Sequence, residues 1–104
     1  NIGMTASTVI EKYALDAVSS SATSTTVTLT NNTASSVSVQ YILAAYTADG
    51  QMVASSTVAS DLQSQKSIKL TVQYSAKDQV SWVSAFVLQA GTLQPLRAVW
   101  KKAL

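Results

Sequence analysis

The chain is predicted to be all-β, a sandwich of about seven short antiparallel strands, and three observations carry that prediction. Ser and Thr supply 28 of the 104 residues, Val and Ala are abundant, and only 12% of residues are charged. Thr and Val are stiff at the β-carbon and suit a pleated sheet better than a helix. Several segments alternate apolar and polar residues, as a strand with one buried face requires. Turn signals separate these segments at intervals of about ten residues, with no long helical period between them.

The elements follow in order. Thr8 to Leu15 reads as a first strand, with Val9, Tyr13 and Leu15 in step. Val18 to Thr25, nearly all Ser, Thr and Ala, reads as a loop. Thr26-Val27-Thr28-Leu29-Thr30 is a second strand in strict alternation. Asn31 to Ser35 reads as a polar turn. Asn31-Asn32-Thr33 also fits the N-glycosylation pattern, but the favoured reading is a turn using Asn for its tolerance of positive φ.

Val37 to Tyr46 is the strongest strand. Val37, Val39, Tyr41 and Leu43 point one way and Ile42, Ala44 and Tyr46 the other, so both faces are partly apolar. That pattern suits a central strand, or a bulge that switches the buried side. Thr47-Ala48-Asp49-Gly50 is a hairpin signal, because Gly accepts positive φ. The return strand covers Gln51 to Ser60, and Asp61 to Lys66 reads as a loop. Ile68, Leu70, Val72 and Tyr74 alternate with Lys69, Thr71 and Gln73 in the cleanest amphipathic strand. Ser75 to Gln79 is a turn. In Val80 to Leu88, Val83, Ala85 and Val87 share one face while Trp82, Phe86 and Leu88 share the other. Gly91 and Pro95 break the pattern. Residues 1–104 fit one domain, with the tail 97–104 compatible with a strand or a short helix.

Chemistry is sparse. There is no histidine, hence no ordinary general base, and no cysteine, hence no disulfide, thiolate metal site or thiol nucleophile. The three glycines form no phosphate loop. The five acids, Glu11, Asp16, Asp49, Asp61 and Asp78, are scattered without metal-ligand spacing, and Asp49, Asp61 and Asp78 fall in predicted loops. No catalytic residue, metal or cofactor is expected. The net charge of +2 comes mostly from Arg97, Lys101 and Lys102, which is too thin a basic patch for nucleic acid. No apolar run is long enough to span a bilayer. The start, Asn1-Ile2-Gly3, lacks the basic and apolar segments of a signal peptide, so an exported form would be processed or excised.

The aromatics carry the one sharp ligand hypothesis. Trp82 is out of phase with Val83, Ala85 and Val87, and Tyr46 with Leu43 and Ala45. With Trp100, they form a candidate platform on which a polysaccharide would stack its C–H faces. The competing and favoured reading places Trp82 and Phe86 in the core or partly buried, since an inter-sheet Trp is common in such sandwiches.

Three motifs resemble a known module. Val27 to Thr33 resembles a "tNNt" strand-turn, and Tyr41 to Val53 resembles a hairpin of the form "alYdadGklv". Val83 to Val87, followed by Leu93-Gln94-Pro95-Leu96, resembles the closing signature "vkaFvWds…lkPL". Together they are similar to an accessory module of exported Clostridium-type bacterial surface proteins and polysaccharide-degrading enzymes. Leu88-Gln89 stands where that pattern has Trp-Asp. The resemblance implies an immunoglobulin-like or fibronectin type III-like sandwich, located outside the cell or at its surface. It implies a non-catalytic accessory part of a larger protein, and the expected role is to support or dock neighbouring domains of the same polypeptide, with the chain itself expected to be monomeric. The alternative is a carbohydrate-binding module using Trp82, Tyr46 and Trp100. Assembly into a fibre by strand exchange has no specific sequence support.

Overall fold

A computed structural model describes residues 11–104. Seven strands run in order: β1 Tyr13–Ser20, β2 Ser24–Asn31, β3 Val37–Thr47, β4 Met52–Leu62, β5 Ser67–Gln73, β6 Val80–Gln89 and β7 Trp100–Ala103. They form two antiparallel sheets, β1-β2-β5 and β4-β3-β6-β7. The chain changes sheet between β2 and β3, between β4 and β5, and between β5 and β6. The result is a seven-stranded sandwich of immunoglobulin-like build, with β4 kept beside its hairpin mate β3.

The core lies where alternation requires it. Leu15, Val27, Leu29 and Val72 from the three-stranded sheet meet Val39, Tyr41, Leu43, Ala45, Val83, Ala85 and Val87 from the other. Tyr41 is fully buried, and its hydroxyl donates to the carbonyl of Val27 at 2.9 Å, joining the two sheets. Burial pushes the Tyr41 phenol well above its ordinary pKa.

Of the two readings of the Val37–Tyr46 segment, the central strand holds: β3 is flanked by β4 and β6. The register shifts lie on its neighbours, at Val53 of β4 and Ser81 of β6, and the buried side of β3 does not switch. Ala44 is buried on the outward side and Ala45 on the inward side.

Several boundaries differ from the sequence reading. Thr8 to Ile10 of the expected first strand lie outside the described residues. β1 begins at Tyr13 and continues through Ser20, so Val18 to Ser20 are strand, and β2 takes in Ser24 and Thr25. The expected loop shrinks to Ser21–Thr23. Hydroxyls close this turn: Ser21 Oγ accepts from the backbone N–H groups of Thr23 and Ser24, each at 3.2 Å. Hydrophobic patterning could not show this strand end, because Ser19 and Ser20 are exposed.

Asn31 is the last residue of β2 and fully buried. Its amide donates to the carbonyls of Ser35 and Leu62, both at 2.9 Å, and its Oδ1 accepts from the backbone and hydroxyl of Thr33. Its turn role comes from these four hydrogen bonds and not from positive φ, since no Asn is among the positive-φ residues described. The same bonds occupy the nitrogen that glycosylation would need.

β4 extends past the expected Ser60 because Leu62 fills the core and Asp61 receives the Ser38 hydroxyl. The Ser75–Gln79 turn is a short 3-10 helix, Ala76–Asp78, with a reciprocal cap between Ser75 and Asp78. The tail resolves as strand: β7 pairs with β6. Arg97 ties the segment before β7 to the start of β1, donating to the Tyr13 carbonyl at 2.9 Å and meeting Glu11 at 3.0 Å.

Candidate functional site

Strand register separates the two faces of the four-stranded sheet. Opposed residues on neighbouring strands share a face. Val83, Ala85 and Val87 point into the sandwich and are at most 1% exposed. The residues between them point outward, where the register pairs Tyr46 with Trp82, Ala44 with Ser84, Ile42 with Phe86, and Gln40 with Leu88. Tyr46, Trp82, Ile42, Phe86 and Leu88 are half-buried, and none belongs to the fully buried core cluster. Apolar residues thus line the outside of the sandwich on this side.

At one end of this stripe the Tyr46 and Trp82 rings stack, with centroids 5.4 Å apart and planes 12° from parallel. Lys101 Nζ lies 4.3 Å from the centroid of the Trp82 ring, a cation–π arrangement. These three residues come from β3, β6 and β7, which are adjacent strands, so the strand order sets Trp82 between Tyr46 and Lys101.

Trp100 is placed elsewhere. It lies opposite Ala85 on β7, so it shares the inward face and packs against the core. The structure therefore brings Tyr46 and Trp82 together and sets Trp100 on the other side of the sheet. Lys101 was not singled out from the sequence; its position depends on the β6–β7 register, which no local pattern reveals. Ile42, Phe86 and Leu88 were legible as the second apolar side of their strands.

A second feature is a shallow polar depression beside the β3–β4 turn, lined by Thr47, Asp49, Gln51, Asp78, Gln79 and Ser81. The Thr47 hydroxyl donates to the Asp49 carboxylate and holds its pKa below the ordinary value. Among the described residues no three acidic, His or Cys side chains cluster as a metal would require. Also among these residues, no helix is long and apolar enough to cross a membrane, which says nothing of a β-barrel.

No protein-family model matches the chain, and no curated protein matches it. Solved structures do. A β-glucuronidase from glycoside hydrolase family 2 matches with a TM-score of 0.51 at 14% identity, over 88% of this chain and 11% of its own. A putative β-galactosidase from Bacteroides fragilis matches with a TM-score of 0.54 at 18% identity, over 89% of this chain and 16% of its own. The resemblance is one of fold. The chain thus corresponds to a small segment of each of two much longer proteins.

Proposed function

We infer that this sandwich is a non-catalytic accessory domain of a larger exported protein, and that the outer face of its four-stranded sheet packs against a neighbouring domain. The observation that carries this reading is the contiguous row of Ile42, Tyr46, Trp82, Phe86 and Leu88, partly buried apolar side chains on the outer face of the sheet. The two larger glycosidases that contain a comparable fold support attachment to a longer polypeptide. The resemblance of the strand-turn, hairpin and closing motifs to modules of bacterial surface proteins supports placement outside the cell. The test compares the isolated chain with a longer one carrying the adjoining domain, both with Trp100→Phe so that Trp82 alone reports. In the longer chain, Trp82 emission should shift to shorter wavelength and lose access to iodide. Equal exposure in both chains would overturn the reading.

Carbohydrate binding is the second reading, supported by the stacked Tyr46–Trp82 pair. Its geometry is less favourable than a flat platform. Tyr46 stacks on Trp82 from the β3 side and Lys101 lies over the ring from the β7 side. A sugar must displace one of them to reach a Trp82 face. Retardation in gels containing cellulose, xylan or pectin, abolished by Trp82→Ala, would establish this reading. Migration unaffected by every glycan would remove it.

A further inference from the structure

Among the described residues the sandwich has four edge strands, and three carry features that discourage further strand pairing. β1 has a register shift between Ala17 and Ser19, a charged Asp16, and the Arg97 guanidinium bound to its first carbonyl. β5 carries Lys69 at its middle and follows Lys66. β7 has only four residues, two of them lysines. The remaining edge, β4, is different over most of its length: its one register shift with β3 lies at its start, between Met52 and Ala54. It is 11 residues long, reads Met-Val-Ala-Ser-Ser-Thr-Val-Ala-Ser over 52–60, and has no charge or proline before Asp61. One side of its backbone pairs with β3, and no other strand among the described residues pairs with it.

We propose that β4 is a homotypic pairing edge: two copies of this chain join antiparallel through β4, making one continuous eight-stranded sheet from two four-stranded ones. Such a pairing is isologous, with each residue i opposite j and j opposite i. Continuity of the inner and outer faces requires the two-fold axis to pass through a residue. The uncharged stretch 52–60 is centred on Ser56. An axis there places Ser55 opposite Thr57, and Asp61 opposite Gln51, since each pair sums to 112. The acidic residue of one copy therefore never faces that of the other. Ser55, Thr57 and Ala59 are exposed on the outer face, and their small side chains leave the backbone approach open. A second copy is the occupant proposed, because the two-fold register opposes the uncharged stretch to itself and keeps the two Asp61 carboxylates apart. The pairing is independent of the neighbouring-domain reading, since it uses the strand edge and not the Trp82 stripe.

The test is analytical ultracentrifugation of the full 104-residue chain over a broad concentration series, with Thr57→Lys and Ala59→Lys beside it. Each lysine is placed on an exposed position, so native circular dichroism and an unchanged thermal midpoint at low concentration are expected. The unsubstituted chain should approach twice its monomer mass, and each variant should weaken the dimer by about tenfold or more. Lys69→Ser, on the other sheet's edge, should leave the dimer unchanged. A monomeric mass at every concentration would overturn the proposal, and so would a dimer that folded lysine variants retain at full strength.

Discussion

The outward faces of the two sheets are built from the same kind of alternating strand, yet one is polar throughout its centre and the other carries an apolar stripe. On the three-stranded sheet the outward residues are Asp16, Thr26, Thr28, Thr30, Ser67, Lys69 and Thr71, aligned by register into polar rows. Thr26 and Thr71 share a hydrogen bond at 2.7 Å, and Thr30 and Ser67 one at 2.8 Å. On the four-stranded sheet the outward positions of β3 and β6 include Ile42, Tyr46, Trp82, Phe86 and Leu88 among Gln40, Ala44 and Ser84, with polar Ser55, Thr57 and Lys101 on the flanking strands. One face is finished for water by cross-strand hydroxyl pairs. The other carries a row of partly buried apolar side chains. The contrast teaches that register alone can give the two sides of one sandwich different outer surfaces, which is the difference the proposed docking of a neighbouring domain would use.

The largest expected effect calibrates the comparison from inside. Leu43→Ala removes a fully buried side chain between the sheets and should cost about 3 kcal/mol, read as a lower urea midpoint. If Phe86→Ala on the outer face cost as much in the isolated chain, the stripe would be core and the contrast would fail.

Asn31→Ala comes next. It removes the amide donor to the Leu62 carbonyl and the acceptor for the Thr33 amide, at a corner shared by β2 and the end of β4, while the Ser35 carbonyl keeps the Thr33 hydroxyl. The expected loss is about 2 kcal/mol in the same urea measurement. Asn31→Asp keeps the acceptor and loses both donors, so it should recover only part of that loss.

The inter-sheet hydrogen bond of Tyr41 makes a pH prediction. Its phenol pKa is raised in the folded state by burial, so the proton is held more tightly folded than unfolded. Stability from this group is complete below the unfolded value near pH 10 and falls as pH rises above it, by about 1.4 kcal/mol per pH unit until the folded pKa is reached. Tyr41→Phe should be less stable at neutral pH, having lost the bond to Val27. Its stability should also decline less steeply in alkali. Equal alkaline slopes for the two chains would show that Tyr41 is not sealed between the sheets.

Much of this arrangement was legible in the sequence. Alternation in Thr26–Thr30 and Ile68–Tyr74 gave the three-stranded sheet its inward side, and the doubly apolar Val37–Tyr46 marked the strand that became central. Parity alone set Trp82 apart from Val83, Ala85 and Val87. What stayed hidden depends on side chains meeting over long separations. Ser19 and Ser20 carry no hydrophobic signal, yet they pair with Thr26 and Thr25. Asn31 looks like an ordinary turn residue until Leu62 arrives from 31 positions away. Trp100 and Lys101 are neighbours in sequence, and only the β7 register sends one to the core and the other to Trp82.

Phe86→Ser tests the outer face directly. Phe86 is half-buried beside Ile42, so the isolated chain should lose only about 1 kcal/mol. In a longer chain that covers the stripe, the same change should cost more, because a fully covered ring surrenders more apolar area when removed. The difference between the two losses, measured by urea unfolding, reads the covering itself. Equal losses would mean that the stripe stays open to solvent.

The smallest effect belongs to the polar face and sharpens the contrast from the other side. Thr28 lies in the middle of that face, between Asp16 on β1 and Lys69 on β5. Its hydroxyl is buried and has no hydrogen-bond partner, unlike the hydroxyls of Thr26 and Thr30. Replacing an unpartnered buried hydroxyl with a methyl group removes a desolvation cost and keeps the branched shape. Thr28→Val should therefore be neutral or stabilising by about 0.5 kcal/mol, whereas Thr26→Val, which breaks a made bond to Thr71, should be mildly destabilising. If Thr28→Val destabilised the chain instead, its hydroxyl would be partnered, and the polar rows would be continuous across all three strands.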